Sequence, residues 1–207
     1  INVLMNAPSV IEASNTVLLQ FERPADQSAS VQLKRAEYGQ AYYDKYANKN
    51  QEGGSVVMSN SSLVSYTKIS PNKSSPRNHS IDRISIHCVV GQCSVETLGN
   101  IFAPTSRQAS SNYGIGLDGK IGMYVEEKDR SWCTSSSSND NRAVTIEVAS
   151  DTYDPYKVTD AAYASLLDLV TDICKRNGKT KIIWFGDKEK TLSYTPKPNE
   201  MVMTVHR

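Results

Sequence analysis

The chain has 207 residues and a formal net charge of +1. That length allows one domain of ordinary size with an appendage, or two small ones, and is enough to bury a core without covalent staples. The near-neutral balance gives no field to draw the chain to nucleic acid or an anionic membrane, and no apolar run is long enough to span a bilayer. The opening "INVLMNAPSV" lacks the basic start and sustained apolar centre of a signal peptide, and a first residue of Ile points to a processed or trimmed start. Cys88, Cys93, Cys133 and Cys174 include no CxxC pair. Two disulfides are permitted, but small thiols packed in the interior are the favoured reading.

In chain order, residues 1–58 read as an N-terminal arm or the tail of a preceding module. "NTVLLQF" has the character of one strand. "ASVQLKRAEYGQAYYDKYANKN" places Tyr38, Tyr42 and Tyr46 at i, i+4 and i+8, which predicts a helix with a narrow apolar stripe. "NQEGGS" then reads as a linker. From residue 59 the pattern is denser. "SPNKSSPRNHS" is a predicted loop, with His79 solvated in it. "DRISIHCVV" alternates as a strand does, and "SVETLGNIFA" is a short helix with Ser94 as N-cap. "YGIGLDGKIGMYV" is two short strands joined at Asp118-Gly119, a tight-turn pair. "EEKDR" is a charged surface turn, and "WCTSSSSNDNR" a long polar loop whose serines 135–138 are expected to be flexible. "AVTIEVA" is a strand. Thr159 caps a helix running to Arg176, its expected apolar face made of Tyr163, Leu166, Leu167, Val170, Ile173 and Cys174, and Asn177-Gly178 ends it. "KIIWFG" and "MVMTVH" are the last predicted strands. Strands mixed with one long and one short helix imply an α/β or α+β sheet covered by helices.

Side chains alternate faces along a strand. In "RISIHC", Ile84, Ile86 and Cys88 share one face and Ser85 and His87 the other. In "AVTIEV", Val144, Ile146 and Val148 oppose Thr145 and Glu147. In "MVMTVH", Met201, Met203 and Val205 oppose Thr204 and His206. Each strand thus has an apolar side for helices and one ionisable residue on the other side. If the three strands are neighbours, two imidazoles and a carboxylate meet. That set suits a zinc hydrolase: neutral imidazole binds zinc, the ion brings the pKa of water to about 7, and a carboxylate off the metal shuttles the proton. The alternative for each is an ordinary solvated strand-end residue.

"ISIHCVVGQ", "SSNYGIGLDGKIGMYVEE" and "SWCTSSSSNDNRAVTIEVA", in this order, resemble the zinc-dependent N-acetylmuramoyl-L-alanine amidases, which include phage lysozyme-amidases and peptidoglycan recognition proteins. The resemblance covers roughly residues 62–207. It implies an α/β domain over 59–207, a central mixed β-sheet flanked by helices with Zn2+ in a cleft. It implies His87 and His206 as metal ligands, Glu147 as the catalytic acid/base, and peptidoglycan (muramyl peptide) as the partner. The bond cut is the amide between N-acetylmuramic acid and L-alanine of the stem peptide. Ser111, Asn112 and Trp132 are expected to bind substrate. The setting implied is extracellular or the cell wall at the point of action, as for an endolysin, with a phage or prophage product cytoplasmic before lysis.

Three departures stand out. The family's third ligand, a Cys or Asp shortly after the second histidine, is expected beyond Arg207 together with a lysine before it, so residues 1–207 alone are expected to be inactive. The hairpin position that carries a catalytic tyrosine in animal and some phage members holds Ser111, with Tyr113 offset by two. Cys133 stands where many members have a histidine after tryptophan, a change expected to alter the cleft wall without removing a ligand. The family also leaves open a Cys88–Cys93 disulfide. A non-catalytic peptidoglycan-binding module of the same fold is the alternative function, and a tail-structural role centred on residues 1–58 a third.

Overall fold

In a computed structural model of the protein, the described residues are 9–16, 19, 27–47 and 60–205. The chain divides into two compact units, Ile1–Val57 and Met58–Arg207. Among the described residues no helix is long and apolar enough to cross a membrane.

The first unit contains α1 (Val10–Thr16) and α2 (Ala29–Ala47). Ser9 opens α1: its hydroxyl accepts from the Glu12 amide at 3.2 Å, satisfying a donor that the first turn leaves free. The strand expected in "NTVLLQF" is corrected at its start, because Asn15 and Thr16 are the last residues of α1. The helix expected for the tyrosine-rich stretch is α2. The expected linker "NQEGGS" lies outside the described residues.

The second unit is built on a mixed sheet. Its strands are β1 (Tyr66–Thr67), β3 (Arg83–Cys88), β4 (Tyr113–Ile115), β5 (Ile121–Met123), β7 (Ala143–Val148), β8 (Lys181–Ile183) and β9 (Glu200–Val205), in the order β1-β5-β4-β7-β3-β9-β8. A small ribbon pairs β2 (Lys73–Ser74) with β6 (Arg130–Ser131). The helices are α3 (Val95–Phe102), α4 (Ser137–Arg142), α5 (Asp160–Arg176) and α6 (Lys188–Ser193). The central mixed sheet flanked by helices is the architecture expected from the sequence.

The neighbours that matter are the middle three strands. β3 lies parallel between β7 and β9, so Ser85 pairs with both Thr145 and Thr204. The apolar face of this trio packs Ile84, Val144, Ile146 and Met201 against Leu169, Val170 and Ile173 of α5. A second cluster, Leu98, Phe102 and Tyr124, seats α3. Ser94 caps α3 and Thr159 caps α5, each accepting the amide three residues on. β4 and β5 form the expected hairpin, with Gly119 at φ +80° in its turn, a conformation that costs a side-chain-bearing residue energy.

Two local readings are corrected. The face of α5 is rotated: Tyr163 and Leu167 are about half exposed, while Ala162 and Leu169 are buried. The serine-rich loop is partly helical, because Ser136 accepts the Asn139 amide and caps α4, which includes Ser137 and Ser138. All four cysteines are free thiols, so no Cys88–Cys93 bridge forms; Cys174 is buried and Cys88 exposed.

Candidate active site

The face of β3 opposite the α5 core is polar but also buried. Ser85 and Thr145 have no exposure and His87 is 5 % exposed. Burying hydroxyls and imidazole without loss requires partners. Ser85 Oγ lies 2.5 Å from Thr204 Oγ1 and accepts from Asn139 Nδ2 at 2.9 Å, which ties β3, β9 and α4 together. Thr145 Oγ1 accepts from the Asn112 amide at 2.9 Å and lies 2.8 Å from Ser131 Oγ.

At the C-terminal end of this face, His87 and Glu147 are register partners on β3 and β7. His87 Nδ1 is 3.7 Å from Glu147 Oε1. Cys133, in the segment between β6 and α4, completes the group. Its Sγ is 3.8 Å from His87 Nε2 and 3.8 Å from Glu147 Oε1. One donor atom from each of the three lies within 4.8 Å of the others, and among the described residues this trio is the set of three able to hold a metal ion.

The segment carrying Cys133 is fixed from both sides. The Asp140 carboxylate, nearly inaccessible, accepts from Cys133 N at 3.0 Å, Thr134 N at 3.2 Å and Thr134 Oγ1 at 2.6 Å. Upstream, Trp132 N donates to Ser110 Oγ at 3.0 Å and its indole N–H to Ser74 Oγ at 3.0 Å.

Burial sets the electrostatics. It pushes the Glu147 carboxyl up to about 6, against the opposing pull of the Cys133 hydrogen bond and the Arg107 charge. It also raises the Cys133 thiol well above its usual value, with Glu147 and Asp140 adding to the rise. A carboxyl poised near 6 can both take and return a proton close to neutral pH.

His87 and Glu147 therefore meet, as strand alternation allowed. His206 lies outside the described residues. Trp132 is half-buried. Ser111 and Asn112 are fully buried: Ser111 Oγ donates to Tyr113 O at 2.8 Å, and the Asn112 amide group donates to Val125 O at 3.2 Å. Both support Thr145, and the Ser111 hydroxyl also approaches the Cys133 sulfur. Sequence reasoning placed Cys133 in the cleft wall but missed its approach to His87 and Glu147, and it missed the anchoring role of Asp140. It also missed a groove of about 550 Å³ lined by Thr134, Asn139, Trp184, Leu192, Thr204 and Val205. The Trp-Cys pair where related chains carry Trp-His was the available signal for Cys133.

A sequence profile described as N-acetylmuramoyl-L-alanine amidase matches residues 70–190. No curated protein matches the chain. Among solved structures, the chain is similar to a selenomethionine derivative of AmpD, at 17% identity over 56% of this chain and 76% of that one, with a TM-score of 0.46. It is similar to Drosophila peptidoglycan recognition protein SA at 21% identity, over 48% of this chain and 60% of that one, with a TM-score of 0.39. It is also similar to the Staphylococcus aureus hydrolase AmiA in complex with its ligand, at 14% identity over 79% of this chain and 71% of that one, with a TM-score of 0.42.

Proposed function

The chain belongs to the N-acetylmuramoyl-L-alanine amidase family, and from that premise we propose that it hydrolyses the amide joining the lactyl group of N-acetylmuramic acid to L-alanine of the peptidoglycan stem peptide. The activity is assigned to residues 59–207, with residues 1–58 as an arm or the tail of a preceding module. The observation that carries this reading is the pairing of buried His87 with half-buried Glu147 at the end of adjacent parallel strands.

The donor set fits zinc. An imidazole, a thiol and a carboxylate converge within 4.8 Å on a buried polar face, and nitrogen and sulfur donors are those zinc favours. His87 is assigned as one ligand and His206, two residues beyond Thr204 on the same parity, as another. When bound, zinc supplies Lewis acidity and brings the pKa of water near neutrality.

The protein's own residues do the rest. Glu147 accepts a proton from the attacking water as oxygen bonds to the carbonyl carbon. It then delivers that proton to the amide nitrogen as the C–N bond breaks, leaving a muramyl carboxylate and the free amine of L-alanine. Its pKa of about 6 suits both transfers. The Ser85–Thr204 contact holds β3 against β9 and so fixes the position of His87. Trp132 is assigned to the substrate face. Ser111 and Asn112, read as substrate-binding from the sequence, are reassigned as supports of Thr145, which lies beneath Glu147 on β7.

The test is release of stem peptide from muropeptide by the zinc-loaded protein extended past Arg207 and by its Glu147→Gln variant. Loss of a general acid/base should slow turnover by roughly 10²–10⁴-fold. Turnover unchanged by Glu147→Gln removes the assignment. Muropeptide binding that survives chelation, with no peptide released, assigns the non-catalytic recognition role instead.

A further inference from the structure

Cys133 is the one member of the trio that the amidase reading assigns neither as a ligand nor to a chemical step. We propose that the Cys133 thiolate is a protein ligand of the metal, sharing the ion with His87 and leaving Glu147 free for proton transfer. The inference rests on the reading of a metal at His87.

The geometry comes first. Zinc bonds of about 2.3 Å to sulfur and about 2.0 Å to nitrogen, at tetrahedral angles, separate the two donor atoms by roughly 3.5 Å. Cys133 Sγ and His87 Nε2 are 3.8 Å apart, within a small side-chain rotation of that value. A sulfur that merely lined the cleft wall would not need to meet a ring nitrogen at ligand spacing.

The second observation is how firmly the sulfur is placed. One buried carboxylate, Asp140, holds the backbone amides of both Cys133 and Thr134. Trp132, the preceding residue, is held at its amide and at its indole. Ligand positions fixed by an outer layer of hydrogen bonds are characteristic of metal sites. The hydroxyls of Thr145 and Ser111 also approach the sulfur. No disulfide competes for it, since all four cysteines are free.

The chemistry is consistent. Cysteine ligates as the thiolate, so binding the ion displaces the Cys133 proton to solvent. Imidazole and thiolate together form a borderline-soft set that selects zinc over magnesium or calcium. A thiolate in the set also removes the need for Glu147 to ligate, so its carboxylate remains available for the water proton.

The test uses the 207-residue chain loaded with cobalt(II) in place of zinc, read by optical absorption and by X-ray absorption at the metal edge. The wild-type chain should show a thiolate-to-cobalt charge-transfer band in the near ultraviolet and one sulfur neighbour at the metal. The triple variant Cys88→Ser, Cys93→Ser, Cys174→Ser should keep both. Cys133→Ser should lose the band, and its affinity in competition with a chelator should fall by more than roughly 100-fold, beyond the range typical of an outer-layer partner. Cobalt bound in a His87-dependent way with no sulfur neighbour overturns this inference alone. No cobalt bound overturns it together with the metal reading beneath it. The sulfur count on the wild-type chain decides the matter even if Cys133→Ser fails to fold.

Discussion

His87 and Glu147 face each other across the β3–β7 ladder, in register, with Nδ1 3.7 Å from Oε1. Two parallel strands thus bring an imidazole and a carboxylate sixty residues apart in sequence to one point. The carboxyl is held there at a cost, since burial raises its pKa from the usual 4.5 to about 6. That cost can be measured.

In the metal-free protein, Glu147→Gln should be more stable than wild type at pH 7–8. Because the folded-state pKa is raised, the stability contributed by protonated Glu147 is fully present below pH 4.5 and is lost as pH rises through about 6. Glutamine is neutral throughout, so its advantage should grow over that window to about 2 kcal/mol and vanish below pH 4.5. Urea melts in EDTA at pH 4 and pH 7.5 check this. Equal stability of the two proteins at both pH values contradicts it.

Asp140→Ala should loosen the segment that carries Cys133. It leaves the Cys133 and Thr134 amides without their acceptor and removes the shortest of the Thr134 hydroxyl's hydrogen bonds. Hydrogen bonds to a charged group contribute about 1.5–3 kcal/mol each, and water can replace some of them, so a net loss of about 2–4 kcal/mol is expected in chemical denaturation. Metal affinity should fall as well. A loss of stability under about 0.5 kcal/mol would show that the segment is held by something else.

These cases show what could be read in advance. Two-residue alternation put His87 and Glu147 on polar faces, and turn chemistry located the Asp118–Gly119 hairpin. Both are local patterns with fixed geometry. Alternation could not show that the strands are neighbours, because parallel pairing joins segments through long crossovers. The inward position of Cys133 depends on a carboxylate seven residues later, in a helix concealed by four serines and opened by one of them, Ser136. On α5, Leu167 and Leu169 are chemically alike, and only packing against the sheet decides that Leu169 is the buried one.

Arg77 should prove a structural keystone. Its guanidinium is buried and donates to the carbonyl oxygens of Glu127 at 2.6 Å, Asn141 at 2.9 Å, Asp129 at 3.0 Å and Ala143 at 3.1 Å. It thereby joins the loop before β3 to the chain on both sides of the Cys133 segment. Arg77→Met keeps the aliphatic stem but strands several buried acceptors, each costing about 1–3 kcal/mol. We expect a total loss above about 3 kcal/mol, read from thermal or urea unfolding; a loss below about 1 kcal/mol contradicts the keystone role.

Gly122 should not tolerate alanine. A methyl group there would meet the Tyr124 ring, whose hydroxyl is itself fixed to Val95 O at 2.8 Å. Overpacking of this kind costs about 1–3 kcal/mol, and the Gly122→Ala melt should show it. If Tyr124→Phe in the same background recovers part of the loss, the clash with the hydroxyl is its cause; no recovery points elsewhere.

The central claim is that this chain carries water to the muramyl–alanine amide. The most direct test is to digest peptidoglycan with the zinc-loaded protein extended past Arg207, in ¹⁸O-enriched water, and identify the products by mass spectrometry. The account predicts one ¹⁸O in the newly formed muramyl carboxylate, an unlabelled free amino terminus on L-alanine, and neither product with Glu147→Gln. Label at a glycosidic carbon or at a peptide bond within the stem, or intact muropeptide after full digestion, would contradict it.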